Sequence, residues 1–144
     1  MTTYPFDDRN IRWNPIEGFE HIEYHVCDVD EANKIVDVLF KFAANKQIVL
    51  HRHKADYRTL VIQGELRIYR ANGDIKEIRP VGSYVFTPAG GEPHREGGGD
   101  LDVIVYFSNR NIDGVIYEIL ADDLTPILTL DIPEFKAFLE AQKK

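Results

Sequence analysis

The chain has 144 residues, 44% of them hydrophobic, a formal net charge of -7 and one cysteine. That length and apolar content suit one folded domain over residues 1–144, and the acidic balance argues against a nucleic-acid partner. Cys27 alone excludes an internal disulfide; residues 1–10 are polar and no run reaches the length of a membrane span, so a soluble cytoplasmic protein is expected.

In chain order, Arg12-Trp13-Asn14-Pro15-Ile16 comes first. It carries the only tryptophan and is expected to pack on the body of the domain or on a neighbouring subunit. Strands are expected over residues 21–26, 35–42, 46–53, 57–62, 65–70, 75–79, 83–87, 101–108 and 114–120, because short apolar or alternating runs there are broken by Gly, Pro, Asn and Asp. His21, Glu23 and His25 share one face of the first strand and read as solvent-exposed. Ala71-Asn72-Gly73-Asp74 is a hairpin signal, and Gln63-Gly64-Glu65 a tighter turn. Gly97-Gly98-Gly99 reads as a flexible turn at a barrel mouth. Many short strands with regular turns indicate an all-β sandwich or barrel, and no internal repeat suggests a second one.

The C-terminus changes character. Asp131 followed by Glu134 resembles a helix start, and Phe135, Phe138 and Leu139 fall on one face. A short helix over about 132–142 is expected to cover one edge or end of the barrel, with residues 140–144 fraying into solvent.

Chemistry concentrates in three histidines. His51 and His53 are two apart in a strand, so both imidazoles face the same side. His94 follows Pro88-Ala89-Gly90-Gly91-Glu92-Pro93. Three neutral imidazoles converging inside a small barrel make a transition-metal site with open positions. Tyr57 is a ligand, a hydrogen-bond donor behind the ligands, or core. Arg58 faces a substrate or pairs with Asp56. Both are candidate catalytic residues. Tyr84, Phe86, Tyr106 and Phe107 are candidates for the pocket wall.

These residues resemble the cupin superfamily. Asn45, His51, His53, Tyr57 and Gly64 align with its first motif, and Gly82, Pro88, Gly90 and His94 with its second, with one extra residue before the histidine. Together they span about residues 45–98. The glutamate of the first motif is replaced by Tyr57, the turn glycine by Asn45, and the closing asparagine by Gly98. The resemblance implies a cupin β-barrel, a jelly roll, with a metal on His51, His53 and His94. The reduction to three histidines is similar to the acetylacetone dioxygenase and dihydroxyacetophenone dioxygenase-like branch. That likeness implies Fe(II), with Zn, Ni or Mn as alternatives, and an oxygenase cleaving a C–C bond in a β-diketone or hydroxyketone with O₂.

Without a carboxylate ligand the ion's charge stands uncompensated, which favours an anionic enolate. A homodimer through the strand around residues 22–26 is expected, because an exposed sheet edge invites pairing. Two other readings stand beside the oxygenase. One is a metal-binding sensor without turnover. The other is an isomerase or lyase on a keto acid or sugar, which a guanidinium from Arg58 or Arg95 near the metal would favour.

Overall fold

The computed structural model describes residues 6–144; the polar start read over residues 1–10 lies partly outside them. In chain order the elements are β1 (Asn14–Pro15), β2 (Ile22–Asp30), β3 (Ile35–Phe42), β4 (His51–His53), β5 (Asp56–Gln63), β6 (Leu66–Arg70), β7 (Ile75–Arg79), β8 (Tyr84–Thr87), β9 (His94–Gly98), β10 (Val103–Arg110), β11 (Val115–Leu120), β12 (Pro126–Asp131) and α1 (Ile132–Gln142). Two six-stranded antiparallel sheets face each other, β1-β2-β3-β10-β5-β8 and β12-β11-β4-β9-β6-β7. This is the all-β jelly roll with a C-terminal helix that the strand pattern predicts. No helix among the described residues is long and apolar enough to cross a membrane.

Period-two alternation drives the two inner faces together. Val36, Val38, Phe40 and Phe42 on β3 meet Val103, Val105 and Phe107 on β10, with Leu66 and Ile68 across the core. Phe40 and Phe107 pack edge to face at 5.3 Å. The Asn-Gly hairpin forms between β6 and β7: Gly73 has φ +94 and its N–H donates to Arg70 O at 2.9 Å. Asn45 takes φ 57, a left-handed conformation that asparagine tolerates.

Three elements differ from expectation. The strand expected over residues 46–53 is regular only at His51–His53. Residues 46–50 instead run irregularly beside β9, with Ile48 N–H donating to Glu96 O at 2.8 Å. Strand β9 was not foreseen, and its glycines are not the flexible turn expected of residues 97–99: Gly97 and Gly98 are strand residues and buried. A Cβ on Gly97 would sit 1.7 Å from Lys46 O. Only glycine lets these two backbones come so close. Strand β12 was also not foreseen, because its exposed apolar residues do not alternate cleanly.

Helix α1 starts after Asp131, which makes no side-chain cap bond. Phe135 is fully buried, while Phe138 and Leu139 pack against the core as partly buried residues. The tail does not fray as expected. Gln142 is buried, and its amide bridges β2: Oε1 accepts from Val26 N–H and Nε2 donates to Val26 O, both at 2.8 Å. Strand β1 pairs with β2 at Tyr24 and Glu23. The β2 edge expected to carry a dimer contact is therefore filled by the chain's own β1 and α1. Trp13 packs within the chain, its Nε1–H on Asp8 at 2.9 Å and Lys41 Nζ 4.5 Å from its ring centre. His25 lies on β2, but His21 precedes the strand with φ 69.

Candidate metal centre

The two halves of the site are joined by register. Strands β4 and β9 pair antiparallel with His51 opposite His94. His53 lies two residues from His51 and Glu96 two from His94, so all four side chains project from one face into the barrel. All four are buried, none more than 8% exposed. Their donor atoms lie within 4.8 Å of one another.

The distances suit a shared ion. His51 Nε2 is 2.9 Å from Glu96 Oε1, His53 Nε2 is 3.2 Å from His94 Nε2, and His94 Nε2 is 3.3 Å from Glu96 Oε1. His53 Nε2 is 3.8 Å from the same oxygen. Two donors each about 2.1 Å from one metal, at angles between octahedral and tetrahedral, stand about 3.0–3.4 Å apart, close to the first three separations, while the His53–Glu96 pair is wider. His51 Nδ1 lies 2.8 Å from Val49 O. With a metal bound, donation of the Nδ1 proton to that carbonyl would leave the Nε2 lone pair facing the ion.

Charge follows the same logic. Burial, with His94 and His51 close by, lowers His53 to about 3, and burial lowers His94 as well. Burial alone would raise Glu96, but hydrogen bonds from His51, His53 and His94 hold it well below the usual carboxylate range. Neutral His53 and His94 beside an ionised Glu96 are in the protonation state that a divalent metal requires.

Glu96 was not among the expected ligands. The first-motif position where a carboxylate was sought holds Tyr57, and the carboxylate arrives instead from β9. A divalent ion here is thus partly compensated, which corrects the expectation of an unbalanced charge. The signal was present as His94-x-Glu96, a period-two pair, but it is visible only if residues 94–98 are taken as a strand.

Tyr57 is buried and stacks on His53, with ring centres 3.7 Å apart and planes 10° apart. It props the imidazole from behind. Burial pushes its phenol up, so the hydroxyl stays protonated. Arg58 goes the other way. It pairs across to Phe86 on β8 and its guanidinium lies 4.9 Å from that ring, on the outer face of the sheet. Strand parity therefore turns Arg58 away from the cluster of His51, His53, His94 and Glu96. Arg95 also faces out, 2.8 Å from Asp122. Of the aromatic wall candidates, Phe107 lines the interior, while Tyr84 and Phe86 are exposed.

Two cavities reach the cluster, one at His51 and Glu96 and the other at His53 and His94. One, of about 40 Å³, is apolar and is lined by Ile16, Phe19, Phe42, Ile48, His51 and Glu96 among others. The other, of about 80 Å³, has polar walls and is reached by His53 and His94. The loop between β8 and β9 closes over the polar one. Asp56 pins it by accepting from Ala89 N–H at 2.9 Å.

No sequence-family profile matches the chain, and no curated protein sequence does. Solved structures do. An RmlC-like cupin protein from Ralstonia eutropha JMP134 aligns with TM-score 0.74 at 17% identity, covering 99% of this chain and 88% of that one. An acetylacetone dioxygenase from Acinetobacter johnsonii aligns with TM-score 0.72 at 14% identity, covering 99% and 93%. A polyketide cyclase from Streptomyces resistomycificus aligns with TM-score 0.56 at 15% identity, covering 90% and 85%. The protein has the cupin fold. The same fold carries different chemistries in these neighbours, so function must be argued from the site.

Proposed function

We propose that the protein is a mononuclear metal-dependent oxygenase, with Fe(II) as its ion, that cleaves a C–C bond in a β-diketone or hydroxyketone using O₂. The observation that carries this reading is the buried convergence of His51, His53, His94 and Glu96 on one point. The likeness in fold to an acetylacetone dioxygenase supports the reaction class. Zn, Ni and Mn suit the same nitrogen and oxygen donors and compete with iron for the site. The reading includes a small carbonyl substrate, O₂ and a homodimer formed away from the covered β2 edge.

The residues divide the work. His51, His53, His94 and Glu96 would hold the ion, and Glu96 would halve its excess charge. Bound there, a divalent ion supplies Lewis-acid polarisation of a chelating carbonyl, and iron adds electron transfer toward O₂. Val49 O orients His51, and the Tyr57 ring fixes the plane of His53. Phe42, Phe107 and Ile48 exclude water on the apolar side.

The test is metal content of anaerobically purified protein, followed by O₂ uptake on adding Fe(II) and a panel of β-diketones and hydroxyketones. About one ion per chain with substrate-dependent uptake is expected. Stoichiometric metal without uptake on any compound would remove the oxygenase, and absence of metal would remove the centre itself.

A further inference from the structure

We propose that Arg79 is a carboxylate-binding residue of the polar cavity, so that the substrate is a chelating dicarbonyl or hydroxycarbonyl compound that also carries a carboxylate. This rests on the metal centre proposed above and specifies which carbonyl compounds it takes.

The placement follows from register. Arg79 on β7 pairs with Leu66 on β6, whose side chain points into the core, so Arg79 points inward too. Its side chain is only 11% exposed. It lines the same cavity of about 80 Å³ that His53 and His94 reach. A guanidinium so placed is largely desolvated and gains from acceptors. It has two. Nη1 donates to Thr59 Oγ1 at 3.1 Å across the gap between the sheets, and Nε pairs with Glu77. Nη2 has no hydrogen-bond partner among the described residues. Thr59 is buried on the opposite sheet, so the fork is braced from both sides.

The other charges of the cavity leave this role to Arg79. Lys76 is tied to Glu92 at 2.7 Å, and Arg70 shares that carboxylate at 3.3 Å. Glu77 is 44% exposed, so its pairing with Arg79 is partly solvated and offers weak competition for the guanidinium. A chain with a net charge of -7 thus places a largely buried cation in the wall of the cavity that reaches two of its metal-binding histidines. A planar carboxylate is the group that matches a guanidinium edge in two hydrogen bonds. The dicarbonyl end of the same molecule would face the histidines.

The test compares two probes with the same diketone unit, 2,4-dioxopentanoate and neutral pentane-2,4-dione, by calorimetric titration of metal-reconstituted protein. Wild type should bind the acid at least about tenfold more tightly, as expected for hydrogen bonds to a charged group. Arg79→Gln should erase that preference while metal content, melting temperature and dione affinity stay unchanged. Arg79→Lys should restore only part of it. Glu77→Gln, which leaves Arg79 in place and removes its competitor, should tighten the acid severalfold without affecting the dione. Wild type without a preference, or Arg79→Gln with the preference intact, would overturn the assignment. Metal content on the same samples separates the two readings. Protein that holds no metal overturns both, and protein that holds metal but shows no preference overturns this one alone.

Discussion

Glu96 Oε1 lies 2.9 Å from His51 Nε2, although the two residues are 45 positions apart. Antiparallel pairing of β4 and β9 brings them together, and burial leaves Glu96 only 3% exposed. Imidazole hydrogen bonds stabilise its ionised form in the metal-free protein, and a divalent ion would balance its charge. Glu96→Gln keeps the shape and removes the charge. It should weaken divalent-metal affinity by at least about tenfold in a chelator competition assay, the lower range seen when a metal site loses an interacting group. Unchanged affinity would place Glu96 outside the coordination sphere.

Gly97 sets the distance between the two halves of the centre. With a hypothetical Cβ 1.7 Å from Lys46 O, any side chain pushes residues 46–50 away from β9. That segment leads directly into His51. Gly97→Ala should cost on the order of 3 kcal/mol or more in urea denaturation and lower metal affinity with it. Gly91→Ala is the control, because a Cβ there meets nothing within 4 Å. Equal stability of the two variants would contradict this account of the close approach.

The strand pattern and the turns made most of the barrel legible, since period two and Asn-Gly chemistry are local signals. His51, His53 and His94 were legible for the same reason, as spacings within short motifs. What the sequence concealed was non-local. Glu96 becomes a candidate only when residues 94–98 form a strand, and the triple glycine argues for a turn unless the Lys46 backbone is known to lie against it. The inward aim of Arg79 depends on its register with Leu66, and Arg58 pointed outward because a strand begins at Asp56 with Tyr57 already facing in. Gln142 looked like a solvated tail residue because its partner, Val26, is 116 positions away.

Gln142 completes the β2 edge as another strand would, one donor and one acceptor to the same residue. Gln142→Ala would leave the Val26 N–H buried without a partner. The expected loss is about 1–3 kcal/mol in equilibrium unfolding. Light scattering should also register more self-association, because the opened edge can accept another chain. A variant as stable and as monodisperse as wild type would assign the edge protection to β1 alone.

Acid should destabilise the metal-free protein, with the sign set by the histidines. Unfolded histidine titrates near 6.5, but burial holds folded His53 at about 3 and lowers His94. Between those values the unfolded chain binds more protons, so stability is fully present above about pH 6.5 and is lost as pH falls. Glu96 acts in the same direction at lower pH, since its folded carboxyl stays ionised after the unfolded one protonates. Chelator-treated protein should therefore melt at progressively lower temperature from pH 7 to pH 4. A melting temperature independent of pH over that range would mean that the histidines protonate in place at no cost.

Tyr57 and Arg58 are adjacent in sequence and opposite in role. The Tyr57 ring lies flat on His53 at 3.7 Å, while Arg58 reaches Phe86 on the outer surface. The Tyr57 contact belongs to the ring rather than the hydroxyl. Tyr57→Phe should keep metal affinity close to wild type, whereas Tyr57→Ala should leave His53 unsupported and weaken metal binding about 10–100-fold, as for other groups that orient a ligand. Arg58→Ala should leave metal affinity untouched and cost only about 0.5–1 kcal/mol from the lost stacking on an exposed ring. The three affinities, measured side by side by metal competition, decide the matter. A large loss in Tyr57→Phe would make the phenol oxygen a ligand or a donor to one, and a loss in Arg58→Ala would mean that the outer face of β5 communicates with the centre.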